Sequence, residues 1–480
     1  MVNRMSQWKS IAAIANDVQA GKITALELVK RALATIEDKK EYKAIIAICE
    51  ERALERAKLI DGRVKNNEAI GRLAGVPFIA KDNFLAFGAN TTAASNILKN
   101  FEAPYQATAI ERLEAEGAIC LAKANLDAFA HGSSTENSDF FTTHNPHDKT
   151  RVPGGSSGGS AAAVMLDMAP FAIGTDTGGS IRLPAAYCGA VGYKPTYGLV
   201  SRSGVIAMTS STDTIGSLTQ TVEDTAIVLD VISGRDPLDS TTIERDQKSY
   251  QLSAIRYPLS AIKIGVIKEY MGEGVDSGVK QQIQRAIDKL TKAGAKITEV
   301  SLPSLPLVLA AYYIICPAEI SSNLNRYDGQ RFGYSYEKAR NLEESYKKSR
   351  SVGFGVEAKR RIMIGTYVLS SGYYDAYYKK AQIIRTKLIN EFNEAFKQVD
   401  FLIGPTAPTT AFKIGENSKD PLKMYLNDIM TAAASLVGIP AISIPAGTSQ
   451  NMPVGLQIMA PQSRDRQLLE LSSATEELIK

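Results

Sequence analysis

The chain has 480 residues, 44% of them hydrophobic and 22% charged, enough to bury about three quarters of the surface it would expose unfolded. That excludes a disordered chain, a collagen-like repeat and a small disulfide scaffold. Its 55 basic and 51 acidic residues leave a net charge of +4, and the basic ones are spread along the chain rather than gathered into the clusters that grip phosphates.

The first residues, MVNRMSQWKSIAAIAND, lack the apolar run of a signal peptide. Thr24 and Glu27 have capping-box spacing, Ile23 and Leu28 the spacing of a hydrophobic staple, and Leu26, Val29, Leu33 and Ile36 recur at helical intervals. A helix is therefore expected over 24–38. Short apolar segments at 77–84, 118–126, 170–176, 263–270, 401–408, 441–447 and 454–461 read as buried strands. Between them, 108–117 and 277–294 have helical periodicity, the second ending at a glycine suited to a C-cap. The expected class is α/β: a mixed, largely parallel central sheet with helices on both faces. The polar, turn-rich stretch 233–260 is the best candidate seam and reads as an excursion within one domain. The most apolar later stretch is fenced by Pro306 and Pro317, so no membrane span is expected.

Cys49, Cys120, Cys188 and Cys316 are scattered without a C-x-x-C, and His131, His144 and His147 form no H-E-x-x-H. This thiol usage fits a reduced compartment, with no recognisable metal site. The cytoplasm is the expected location, or an organellar matrix in a eukaryote.

Glycine and serine concentrate in VPGGSSGGSAAA (152–163) and GTDTGGSIRLP (174–184), beside apolar segments rather than in a linker. Such glycines suit backbone that turns tightly or approaches a ligand closely, although turns joining buried elements need carry no chemistry. A phosphate-binding loop would require a lysine that does not follow these glycines. Gly154, Ser156 and Gly158 satisfy G-x-S-x-G, but all three histidines precede Ser156, against the Ser, Asp/Glu, His order of α/β-hydrolases. A triad with an upstream histidine stays open; a third reading uses a lysine as base, provided that burial removes its charge. Lys81, at the end of the apolar run PFIAKDNF, stands where an amine can be buried. Asp82 beside it would oppose the loss of charge if it lay close.

The set Lys81, GGSSGGS (154–160) and GTDTGGSIRLPAAYCG (174–189) resembles the amidase signature family, whose members cleave carboxamides through a Ser-Ser-Lys triad. Ser180 follows Ser156 by 24 residues and Ser156 follows Lys81 by 75, in agreement with that family. The resemblance implies a single domain over 1–480, with a helical part over about 1–70, a catalytic core over about 71–230, and a C-terminal part over about 260–480 completing the sheet and pocket. It implies Ser180 as nucleophile, Ser156 as a bridging serine on a cis peptide and Lys81 as general base. Thr177, Gly178 and Gly179 would supply an oxyanion hole, and Asp176 and Arg182 read as structural support.

Segments 136–146, 192–204, 321–329, 359–378, 404–412 and 420–429 resemble the branch of the family that serves as glutaminase, or A, subunits of tRNA-dependent amidotransferases. That resemblance implies a pocket with Arg361 for the glutamine carboxylate, Asp428 for its ammonium and Tyr312 as lining. The residues alone do not choose Arg361 over Arg360 or Lys359, nor Tyr312 over Tyr313. It also implies subunits B and C as partners, tRNA contacted mainly through B, and ATP and Mg²⁺ used by the assembly with no cofactor on this chain. A stand-alone amidase for small or fatty carboxamides is the alternative. Two positions depart from the branch pattern: His131, where methionine is common, and Leu183, where glutamine is common.

Overall fold

The computed structural model describes residues 7–245, 247–252, 259–418 and 420–480. Among them eleven strands form one sheet: β1 (Ile45–Ile48), β2 (Pro77–Lys81), β3 (Ile119–Ala124), β4 (Phe171–Asp176), β5 (Val191–Lys194), β6 (Thr214–Thr219), β7 (Lys263–Ile267), β8 (Lys296–Val300), β9 (Phe401–Pro405), β10 (Ala441–Ser449) and β11 (Met452–Met459). Their order across the sheet is β1-β3-β2-β4-β6-β5-β10-β11-β9-β7-β8. Each of the seven expected apolar segments contains a strand.

The sheet is mixed, but its parallel share is smaller than expected. β2 pairs in parallel with β3 and β4, and β7 with β8 and β9; the other six pairings are antiparallel. The difference arises at the centre, from β5 and β6, which carry no clear strand signal in the sequence, and from the β10–β11 hairpin. Gln450 and Asn451 join that hairpin with φ of 51° and 61°, the left-handed pair that a two-residue hairpin turn requires. β6, TIGSLT, is wholly buried although half of it is Thr or Ser.

The helix Ala25–Asp38 begins with the expected capping box, Thr24 and Glu27 each satisfying the other's backbone N–H. Thr108–Ala115 and Ser277–Lys292 are helical as expected. The cap of the latter is Ala293, and Gly294 follows with φ +101°. Contrary to expectation, Pro317 does not fence the apolar stretch: it lies inside the helix Val308–Asn323. The wider segment Leu305–Arg326 is long and apolar enough to cross a membrane, yet Tyr312, Ile315, Cys316 and Ile320 are buried as the helix packs on Val356–Leu369 and Lys380–Ala395. Residues 1–6 of the N-terminal stretch, and Asp246 and residues 253–258 of the polar excursion, lie outside the described residues.

The parallel trio β3-β2-β4 places Lys81 at the C-terminal end of β2 and the block Thr177–Ser180 just beyond β4. Ligands in open α/β sheets gather at such strand ends. The helices Gly158–Met165 and Arg182–Cys188 follow the two serine loops directly.

Candidate active site

Lys81 is fully buried. Its Nζ donates to Ser156 Oγ at 2.8 Å and to Thr175 Oγ1 at 2.9 Å. Burial lowers the amine to about 7, against the opposing charges of Asp127, Asp176 and Asp213, so near neutrality much of it is uncharged. Asp82 is not among those charges. In the turn just beyond β2, it pairs with Lys123 at 3.0 Å and accepts the Thr92 N–H at 3.0 Å.

Ser156 follows a cis peptide bond after Gly155. The backbone N–H of Ser157 donates to the Ser180 carbonyl at 3.0 Å, which ties the two serine loops together. Ser180 is 7% exposed whereas Ser156 is wholly buried, so of the two serines Ser180 is the one a substrate can reach. The glycines leave no room for side chains: a Cβ on Gly155 would lie 2.2 Å from Asp127 Oδ2, one on Gly178 2.5 Å from the Tyr312 hydroxyl, and one on Gly179 2.1 Å from Thr431 Oγ1. Gly179 also has φ +144°, which disfavours any side chain.

Three buried carboxylates brace this backbone. Asp176 accepts from Arg182 Nε at 3.0 Å and Nη2 at 2.8 Å, and Arg182 Nη1 reaches Gln457 at 2.6 Å. Burial would raise Asp176, but the Arg182 guanidinium outweighs it and holds the carboxyl below its ordinary range. Asp213 accepts the Thr177 hydroxyl at 2.7 Å. Asp127 accepts the N–H groups of Thr135 and Asn137 at 2.9 and 3.1 Å. Burial raises both to about 6.

On the far side of Gly178 stands an aromatic and charged wall. Tyr312 meets Tyr313 edge-on at 5.0 Å, and Tyr313 stacks on Tyr425 at 3.8 Å. The Tyr313 hydroxyl donates to Asp428 Oδ2 at 2.6 Å. Burial lifts Asp428 to about 7, against that hydrogen bond and the Arg361 charge. Arg361 is buried, lies over both Tyr313 and Tyr425, and gives its Nε to Glu357 at 2.8 Å. Arg360 is only half-buried and pairs with the other Glu357 oxygen, so Arg361 is the arginine the fold buries at the site. Its position follows from close helix packing: a Cβ on Gly365 would lie 1.9 Å from the Pro317 carbonyl. Arg361 and Gly365 share one helix face, as do Tyr313 and Pro317 on the facing helix. Thr431 links wall and loop, its hydroxyl donating to the Gly178 carbonyl at 2.6 Å.

In the sequence Tyr313 stands only as a rival to Tyr312, and sequence reasoning misses Glu357, Tyr425, Thr175, Asp127 and Asp213. Glu357 four residues before Arg361, and Tyr425 three before Asp428, carry a helical-spacing signal that points to them. Leu183 packs with Val152, Tyr187 and Met424 in a small apolar cluster. Among the described residues, no group of three or more His, Cys, Asp or Glu side chains is placed to hold a metal ion.

A family model described as amidase matches residues 27–469. The chain belongs to the amidase family. Two curated amidase-family relatives, the glutamyl-tRNA(Gln) amidotransferase subunits A of Caldanaerobacter subterraneus subsp. tengcongensis and Geobacillus kaustophilus, are 52% and 49% identical to it. They match over 96% and 98% of this chain and 94% and 96% of their own. Among solved structures, the Thermotoga maritima counterpart of these amidotransferase subunits A superposes with a TM-score of 0.77 at 42% identity, covering 94% of this chain and 91% of that one.

Proposed function

We propose that this amidase-family chain is the glutaminase subunit of a tRNA-dependent amidotransferase. The observation that carries the reading is a buried amine on Ser156 at one end of the site with Arg361 and Asp428 at the other, in a chain about half identical to named subunits A. Uncharged Lys81 takes a proton from Ser156, which takes one from Ser180, whose oxygen attacks the carboxamide carbon of glutamine. The N–H groups along Thr177, Gly178 and Gly179 stabilise the resulting oxyanion, each donor contributing about 3–4 kcal/mol. As the C–N bond breaks, the proton returns along the relay to the leaving nitrogen, and ammonia departs. Water then cleaves the γ-glutamyl ester on Ser180, giving glutamate and restoring the hydroxyl.

Glutamine presents a carboxylate and an ammonium away from the reacting carbon. An arginine suits the first and an acid the second; a site for fatty amides would need neither. Of the partner subunits B and C, the first would receive the ammonia and use ATP and Mg²⁺ to activate the carboxylate of Glu-tRNA(Gln), or of Asp-tRNA(Asn), and the second would act as a clamp. The dispersed charge of this chain agrees with tRNA being gripped mainly by B. The test is ammonia release from glutamine by the chain assembled with B and C, which Ser180→Ala should abolish. Turnover of hydrophobic amides with none of glutamine would favour the stand-alone amidase.

A further inference from the structure

Two of the three histidines have ring partners: His144 Nδ1 meets the Lys149 carbonyl at 2.7 Å and His147 Nε2 the Cys188 carbonyl at 2.8 Å. His131 is the exception. It is fully buried, and among the described residues neither of its ring nitrogens has a hydrogen-bond partner. Buried polar groups are rarely left so, and an orphan at a candidate site points to a ligand that satisfies it.

The backbone around it is held tightly. Phe129, Ala130 and Thr135 all have φ of 53–62°, costly for residues other than glycine and concentrated at binding sites. Asp127 pins the loop through Thr135 and Asn137, and Asn137 Nδ2 holds the His131 carbonyl at 3.0 Å. The same loop lies on the serine loop, since a Cβ on Gly155 would meet Ser134 N at 2.6 Å. Ser133 reaches the carbonyl of Met424 at 3.3 Å, the residue before Tyr425 of the aromatic wall. The loop that carries His131 is therefore fixed between the serine loop and that wall, with the imidazole 6.1 Å from the Phe129 ring. Burial, reinforced by the positive charge of Arg361, keeps the imidazole neutral, so one ring nitrogen is a donor and the other an acceptor.

We propose that His131 is a substrate-binding residue, donating a ring N–H to the α-carboxylate that Arg361 also holds. This rests on the glutaminase reading and deepens it: the carboxylate sits between a guanidinium and a neutral imidazole, so two neighbouring donors select amides that carry an acid group at that distance. A merely structural histidine would have no such selectivity. It would also be a burden to the fold, because an apolar side chain of similar length leaves nothing unpaired.

The test compares wild type and His131→Met, each assembled with subunits B and C, on three amides. Glutamine has both α groups, glutaramate keeps only the carboxylate, and 4-aminobutyramide keeps only the amine. The expected result is a KM raised about tenfold for glutamine and glutaramate, equivalent to about 1.4 kcal/mol, with kcat little changed, 4-aminobutyramide unaffected, and a melting temperature equal to or above that of wild type. An unchanged KM for glutamine, or equal losses on all three amides with a lowered melting temperature, would overturn the role given to His131. Failure of the wild-type complex to hydrolyse glutamine would instead remove the glutaminase reading on which it rests, and is seen before any variant is made.

Discussion

If Lys81 is the base, the rate should follow its charge. An amine with the ordinary value of 10.5 would be uncharged in about one molecule in a thousand at pH 7.5; burial brings this one to about 7. The difference corresponds to about 5 kcal/mol at about 1.4 kcal/mol per tenfold, a cost the packing around Thr175 and Ser156 must sustain. Because the value is lowered, the active, deprotonated form grows as pH rises through 7 and is lost below it. At saturating glutamine, kcat for ammonia release should climb about tenfold per pH unit below 7 and level off above about 8. Saturation separates this limb from Asp428, which titrates near the same pH and would act through KM. Lys81→Met should lower kcat at least a thousandfold and remove the limb. Lys194 is a built-in control: it is equally buried, also lowered to about 7, chiefly by burial, and donates to the Pro195 carbonyl at 2.9 Å. Lys194→Met should keep the limb. A limb near pH 10, or one lost with Lys194 and kept without Lys81, would refute the reasoning.

Arg361→Gln removes a charge-assisted contact of about 1.5–3 kcal/mol and should raise KM for glutamine about 10- to 100-fold, whereas Arg360→Gln should stay within about threefold in the same steady-state assay. Arg182→Met leaves Asp176 buried without its cation and should cost about 3–5 kcal/mol of stability, read from denaturant unfolding. Gly178→Ala drives a methyl into the Tyr312 hydroxyl and should displace the oxyanion donors, lowering kcat at least a hundredfold in a protein that still folds by circular dichroism.

The strands legible in the sequence are those that supply their own apolar run, such as PFIAKDNF and FLIGPTAP. β6 and β5 are not legible because their burial comes from neighbours: TIGSLT becomes a central strand only when β4 and β5 cover its edges. Pro317 misleads for a related reason. Proline forfeits the hydrogen bond to the carbonyl four residues back, but the helix Val308–Asn323 runs on through it, packed on Val356–Leu369 and Lys380–Ala395. In the site, Lys81, Ser156 and Ser180 are readable because local motifs carry them. Which of Arg361 and Arg360 lies buried over Tyr313 depends on which face of the helix packs inward, and Tyr313 and Tyr425 enter through a ring stack between segments more than a hundred residues apart. The opposition expected from Asp82 disappears because its carboxylate is taken up by Lys123 and the Thr92 N–H.

The central claim is that an uncharged lysine reaches one serine through another. It is tested most directly by acid-quenching the assembled enzyme during glutamine turnover and mapping the covalent adduct by mass spectrometry. The account predicts a γ-glutamyl ester on Ser180, absent in Lys81→Met and in Ser156→Ala. An adduct on Ser156, or one that forms at the wild-type rate without Lys81, would contradict it.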